Sequence, residues 1–143
     1  MTASPTTTTR PVDVEQAARP DAVFSALTGL TALVVLAQFV FAGVFLRYDG
    51  KRDASSNWID AHAWGAHVGT VLAVVTAIYA VVRLRARKDL LVASIVLAAL
   101  FLVEAYIGGA IRDDGKDGWT AIHIPVAFLL TSLVVWLPAR ARK

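Results

Sequence analysis

Long apolar runs separated by short polar segments dominate the pattern along the chain. Four such runs occur, with approximate limits 22–46, 58–82, 90–111 and 119–137. Each reaches or approaches the roughly 20 residues that a helix needs to cross the hydrocarbon core of a bilayer. The pattern therefore predicts four transmembrane helices. The expected fold class is all-α, an integral membrane four-helix bundle.

The segments outside these runs are polar. Residues 1–20 are rich in Thr, Pro and Ala and lack helical periodicity, which predicts a disordered tail. The transmembrane domain is expected over 21–138, followed by a short basic tail over 139–143. Asp21 is the expected N-cap of the first helix, and Asp89 is expected to begin the third helix in the same way.

Basic residues are distributed unevenly between the two ends of the helices. The loop after the second run has four basic residues against one aspartate, and the C-terminal tail is basic, whereas the other two loops mix signs. The positive-inside rule predicts a protein of the cytoplasmic membrane with both termini in the cytoplasm. Because the net charge of +3 comes mainly from these flanking residues, it does not indicate nucleic-acid binding. The absence of cysteine excludes disulfides, iron–sulfur clusters and thiolate metal sites.

Two halves of the chain repeat the same polar residues. Past the first loop, Trp58 and His62 recur 61 residues later as Trp119 and His123. The repeat indicates two duplicated helical hairpins, related by a pseudo-two-fold axis along the membrane normal. The residues before the loop recur at an offset of 65, and they are Gly43 with Gly108, Arg47 with Arg112, Asp49 with Asp114, Gly50 with Gly115, and Lys51 with Lys116.

The duplicated histidines are the main candidate site. His62 and His123 each follow a tryptophan by four residues, so they are expected at one depth, facing each other across the axis. Ionisable residues inside transmembrane helices indicate function by default. The pair predicts bis-histidine ligation of a metal, with haem b as the first candidate cofactor. Since such ligation fills both axial positions, electron transfer is the expected activity, with quinol or an outside donor as redox partner.

Small residues are expected to leave room for a flat macrocycle beside these histidines. Gly65 shares the helical face of His62, and Gly43 and Gly108 are expected to end their helices at about the same depth. Arg47 and Arg112 are expected just outside this layer, where they could pair with haem propionates. The alternative is ordinary close packing of transmembrane helices through small residues.

Three further polar side chains lie inside the helices. His67 is an alternative axial ligand, a proton-handling group near a quinone, or an internal hydrogen-bonding histidine. Glu104 is either a neutral carboxyl bonded to a neighbouring helix, or a proton relay or acceptor for a ligating histidine. Gln38, at nearly the same level, is a similar polar anchor.

Short motifs in three helices resemble those of a known family. Gln38-x-x-x-Ala42-Gly43, His62-x-x-Gly65 and His123-x-x-x-Ala127 are similar to the four-helix half of haem A synthase-type membrane proteins, over about residues 22–138. The same motifs also resemble a bacterial family of small four-helix membrane proteins. The resemblance implies that His62 and His123 ligate haem. The chain departs from the synthase, because it has one four-helix unit rather than two and lacks a Glu followed by His-Arg at the start of the second helix, where Ala63 follows His62. These departures count against the synthase's oxidative chemistry but not against haem binding.

Two other functions compete with a haem protein. One is an accessory or structural membrane subunit without a cofactor, in which the histidines are packing residues. The other is a small transporter that moves protons through Glu104 and His67. A homodimer that recreates an eight-helix arrangement follows from the resemblance alone.

Overall fold

Four long helices make up the described part of the chain. A computed structural model describes residues 21–48 and 51–142, and these contain no strand. All four helices are long and apolar enough to cross a membrane, which confirms the predicted all-α class. The predicted tail over 1–20, the loop residues 49 and 50, and residue 143 lie outside the described residues. The helices are α1 (Ala22–Leu46), α2 (Arg52–Arg83), α3 (Lys88–Asp114) and α4 (Thr120–Ala141), with a 3-10 turn at Asp117–Trp119 before α4.

The predicted starts of α1 and α3 fared differently. Asp21 is the N-cap of α1, because its Oδ1 accepts a hydrogen bond of 2.9 Å from the Phe24 backbone N–H. The expectation for Asp89 was wrong. The cap position of α3 is Arg87. Asp89 lies in the first turn, where its negative charge interacts favourably with the positive end of the helix dipole.

The expected glycine ends of α1 and α3 were also wrong. Both helices continue past Gly43 and Gly108, since α1 ends at Leu46 and α3 at Asp114. The residue that terminates α3 is Gly115, whose φ of 67° is in the left-handed region that glycine adopts without strain. At the other end of the chain, α4 continues to Ala141, so the helix includes the first residues of the predicted basic tail.

The helices form an up-and-down bundle with a square cross-section. Each helix packs against its neighbours in the chain, and α1 packs against α4 to close the bundle. The helices of the two diagonal pairs, α1 with α3 and α2 with α4, do not touch through their described backbones. Side chains that project inward from α2 and α4 therefore meet across the bundle axis.

The apolar core occupies one end of the bundle. Phe24 of α1, Leu97 of α3 and Leu137 of α4 are fully buried there and belong to a single cluster. Four buried hydroxyls in this end each donate to the backbone carbonyl four residues earlier, so they need no other partner. Ser25 has an unpartnered hydroxyl at this end, and the other buried polar side chains without such partners among the described residues lie towards the opposite end, where the α1–α2 and α3–α4 loops are.

Each hairpin is closed at the core end by an acidic residue. The Tyr79 hydroxyl near the end of α2 donates to the Asp21 carboxylate at 2.8 and 2.9 Å. In the second hairpin, Arg140 Nε donates to Asp89 Oδ2 at 2.7 Å. Both contacts join the start of the first helix of a hairpin to the end of the second.

An aromatic contact occurs in both hairpins near the opposite end. The rings of Phe41 and Trp58 are 6.2 Å apart, and those of Tyr106 and Trp119 are 6.0 Å apart. The two contacts join residues that correspond under the sequence offsets of 65 and 61. Equivalent positions of the repeat thus make equivalent contacts here.

Candidate cofactor site

His62 and His123 meet across the bundle axis. They project from the diagonal helices α2 and α4, and their ring centroids are 6.4 Å apart with the planes inclined at 68°. The expected juxtaposition of the two histidines is therefore present. Phe45 of α1 packs edge-on against the His62 ring, with centroids 5.6 Å apart, and so covers one side of the pair.

Each of these histidines is anchored through its Nδ1 atom by the first helix of its own hairpin. His62 Nδ1 lies 3.2 Å from the Gln38 carbonyl oxygen of α1. His123 Nδ1 contacts Oε2 of Glu104 on α3. Both anchoring residues came from the sequence analysis, but the Gln38 contact uses the backbone rather than the amide.

The anchors determine which nitrogen of each ring is available. A carbonyl oxygen can only accept, so the hydrogen of a neutral His62 lies on Nδ1 and its Nε2 carries a lone pair. In His123 it is likewise Nδ1 that contacts the neighbouring helix, through Oε2 of Glu104, which leaves Nε2 as the free ring nitrogen. Neither Nε2 atom has a hydrogen-bond partner among the described residues. Histidines that ligate a metal through Nε2 are typically held in this way, with Nδ1 against an oxygen of the protein.

Buried polar atoms without partners surround the pair. Glu104 is 8% exposed, and its Oε1 atom has no hydrogen-bond partner. Both polar atoms of the Gln38 amide are likewise buried and unpartnered. An unpaired polar group in an apolar interior costs on the order of 1–3 kcal/mol. Helix packing alone therefore does not explain the unpaired polar atoms beside the two histidines.

The glycines differ in what they accommodate. A Cβ at Gly65 would overlap the amide end of the Gln38 side chain, and a Cβ at Gly69 would overlap the Phe101 ring. Gly108 lies beside His123, where a Cβ would be 3.6 Å from Cε1, an ordinary contact. Gly43 is exposed and has open space around it, so it does not line the site. Phe101 and Phe45 were not anticipated from the sequence.

The two arginines lie at the rim of the bundle. Arg47 follows α1 and places its guanidinium 5.2 Å from the centroid of the Tyr48 ring. Arg112 pairs with Asp113 at 2.7 Å and approaches Asp60 of α2 at 3.9 Å. Both side chains are exposed and lie near the level of His62 and His123, at the end of the bundle away from the core.

His67 points away from the site. Its side chain is exposed on the outer face of α2, and its ring packs against Trp64 with centroids 5.9 Å apart. The helix turns so that His62, not His67, faces His123. His67 therefore has no geometric link to the paired histidines.

The donor set of the site is two imidazoles. No group of three or more His, Cys, Asp or Glu side chains that could hold a metal occurs in the described part of the chain. A bare zinc ion takes about four ligands, three of them from protein even at catalytic sites. Two axial imidazoles are instead the complete protein contribution to a haem, which brings its own equatorial nitrogens.

Comparisons with other proteins give no relative of the chain. No family model matches it, and no curated protein or solved structure is significantly similar to it.

Proposed function

We propose that the protein is an integral membrane b-type haem-binding protein that transfers electrons, with His62 and His123 as axial ligands. The observation that carries the proposal is the pair of opposed imidazoles, each held through Nδ1 with its Nε2 available. The resemblance to haem A synthase-type proteins, drawn from the same histidines, points to the same cofactor.

The residues present fit this cofactor in two respects. A metal–imidazole bond is about 2 Å long, so two imidazoles on opposite sides of one metal have centroids about 6 Å apart. The separation of His62 and His123 is 6.4 Å. In addition, the space beside Gly65 is filled by the flexible end of Gln38, whose amide makes no hydrogen bond. The Gln38 amide can therefore move out of this space without breaking a hydrogen bond.

The protein residues would hold and tune the group. Haem, when bound, supplies one-electron redox chemistry. Glu104 would accept the His123 Nδ1 hydrogen and increase the basicity of that ring, whereas the neutral Gln38 carbonyl does so less for His62. Phe45 would limit the access of water to the pair. Arg47 and Arg112, at the rim, are the candidate partners for propionates.

The wider setting of the proposal follows from charge and repetition. The basic α2–α3 loop supports an orientation with both termini in the cytoplasm, which places the histidines near the outer face of the cytoplasmic membrane. A quinol in the bilayer or a donor outside the membrane is the expected electron donor. The matching contacts Phe41–Trp58 and Tyr106–Trp119 support two duplicated hairpins.

Histidine variants test the ligand assignment. The protein would be purified with haem supplied, and the Soret absorbance would be compared for His62→Ala, His123→Ala and His67→Ala. We expect the first two variants to lose the low-spin spectrum, because each removes one axial ligand. His67→Ala is the matched control and should keep it. Equal retention in all three variants would contradict the assignment.

A second candidate function is an accessory membrane subunit without a cofactor. The observation that favours it is the filling of the spaces at Gly65 and Gly69 by Gln38 and Phe101, which is ordinary close packing through small residues. If the protein is such a subunit, we expect it to fold and to take up no haem at micromolar concentrations. It also expects His62→Ala and His123→Ala to change stability only.

A further inference from the structure

The outer face of α2 carries a polar pair in an unusual place. His67 lies at the middle of this 32-residue helix, and its side chain is exposed. Its ring packs on Trp64, which is 71% exposed, the highest value among the exposed large hydrophobic residues of the described chain. Neither ring nitrogen of His67 has a hydrogen-bond partner among the described residues. The pair belongs neither to the core nor to the histidine site.

A bilayer leaves this histidine without a partner. His67 is nine residues beyond Trp58, where the apolar part of α2 begins, or about 14 Å along the helix axis, which is close to the middle of the ~30 Å hydrocarbon core. Its side chain therefore cannot reach the headgroups. Ser132, on the outer face of α4, shows the usual solution, since its hydroxyl donates to the Phe128 carbonyl at 2.8 Å. An imidazole cannot satisfy itself in this way, and an unpaired polar group in hydrocarbon is costly.

The chemistry of the pair is self-complementary. The Trp64 indole N–H can only donate, whereas a neutral imidazole offers one accepting nitrogen. The two residues are one turn apart on the same face of α2. In two parallel α2 helices related by a two-fold axis, the Trp64 indole N–H of each copy can donate to the His67 imidazole of the other. The symmetry makes this hydrogen bond occur twice. Acyl chains offer neither group.

The apolar residues around the pair suit helix packing. Exposed positions along this face alternate in spacings of four and three, which is the spacing of a seam between two packed helices. They are Trp64, Val68, Val71, Val75 and Ile78.

We propose that this face is the interface through which two copies of the chain associate in the membrane. The two copies share one orientation, with the two-fold axis along the membrane normal and their α2 helices in contact. The hydrogen bonds between Trp64 and His67 give the contact its specificity. The interface lies outside the bundle and is independent of the proposed haem site.

Single cysteines can test the proposal directly, because the chain has none of its own. Val71→Cys places a thiol on the interface one turn beyond His67, at a position that is 62% exposed. Leu129→Cys is the matched control. It is equally exposed and lies near the middle of α4, the helix diagonal to α2. Both full-length variants would be oxidised in lipid membranes, and cross-linked dimers would be separated by non-reducing electrophoresis.

We expect Val71→Cys to form dimers at least fivefold more efficiently than Leu129→Cys, with a yield that persists when the membrane is diluted with lipid. Adding His67→Leu or Trp64→Phe should lower the yield severalfold. Trp64→Phe keeps an aromatic side chain and removes the N–H donor, so it serves even where His67→Leu does not fold.

Two results would overturn the proposal. One is equal cross-linking at the two cysteine positions, as expected if lipid or a membrane-soluble quinone covers the face. The other is a Val71→Cys yield that neither second substitution changes. Cross-linking is read without haem, so failure of the cofactor proposal would leave this test intact.

Discussion

Gly69 shows how single residues set the packing around the histidine layer. A methyl group there would overlap the ring of Phe101, which is buried in the core cluster. At Gly65 the obstructing group is the end of the Gln38 side chain, which can rotate away. At Gly43 there is open space. The same substitution should therefore have three different costs.

We expect Gly69→Ala to lower the free energy of unfolding by about 1–3 kcal/mol, the usual cost of overpacking a core. Gly65→Ala should cost less, and Gly43→Ala should be neutral or slightly stabilising, because alanine favours the helix. Denaturant unfolding in detergent micelles measures all three. A Gly69→Ala protein as stable as Gly43→Ala would show that Phe101 does not occupy that space.

Part of the site could be predicted from the sequence at this scale. The repeat predicted that His62 and His123 face each other, since equal depth in two parallel helices leaves only rotation to be determined. The sequence does not specify how far each helix is rotated about its own axis. Because of the rotation of the helices, His67 faces outward and Gly43 is exposed. For the same reason the Gln38 carbonyl, rather than its amide, is the partner of His62.

At the scale of helices, the ends were predictable where a side chain acts as a cap. Asp21 caps α1 through its own carboxylate, and such a cap is visible in the sequence. Glycines inside the helices were misleading. In an environment without water, the helix is the only way to satisfy backbone groups, so Gly43 and Gly108 do not end one. Gly115 does, because it adopts a positive φ.

Asp21 should make the stability of the first hairpin pH-dependent. The bond from the Phe24 backbone N–H, and then the bond from the Tyr79 hydroxyl, keep the pKa of the Asp21 carboxyl below its ordinary value. A carboxyl whose pKa is lowered by folding stabilises the folded state above its unfolded pKa of about 4. That contribution is lost as the pH falls through the folded-state pKa.

Asp21→Asn is the matched variant for this effect, since asparagine also caps helices but does not titrate in this range. We expect the wild-type protein to lose stability relative to Asp21→Asn as the pH falls below about 4. Asp21→Ala should cost about 1 kcal/mol at neutral pH through loss of the cap. Unfolding curves between pH 3 and pH 7, roughly the range around the carboxyl pKa, measure both. Parallel curves for wild type and Asp21→Asn would show that this carboxylate is not stabilised by folding.

The whole molecule has two chemically different ends. The end with the apolar core also carries the closing contacts of Asp21 and Asp89 and the basic α2–α3 loop. The opposite end carries the paired histidines, the unpartnered polar atoms of Gln38 and Glu104, and the rim arginines. Stability and the proposed chemistry are thus separated along the bundle axis, and substitutions at one end should have little effect on the other.

The orientation of this asymmetry in the membrane can be measured. Single cysteines at Ala86, in the α2–α3 loop, and at Gly118, before α4, would be labelled in intact cells with a membrane-impermeant maleimide. We expect labelling at Gly118 and protection at Ala86, because the basic loop should remain in the cytoplasm. Permeabilised cells should label at both positions. Labelling of intact cells at Ala86 alone would reverse the orientation and place the histidines near the inner face.

The central claim is that the molecule holds one haem between His62 and His123. The most direct measurement is a reduced-minus-oxidised absorption spectrum of the purified full-length protein, expressed with haem supplied and corrected for protein concentration. The account predicts sharp alpha and Soret bands of a low-spin b-type haem, at one haem per chain. A featureless spectrum from folded protein would contradict it and would favour the cofactor-free accessory subunit.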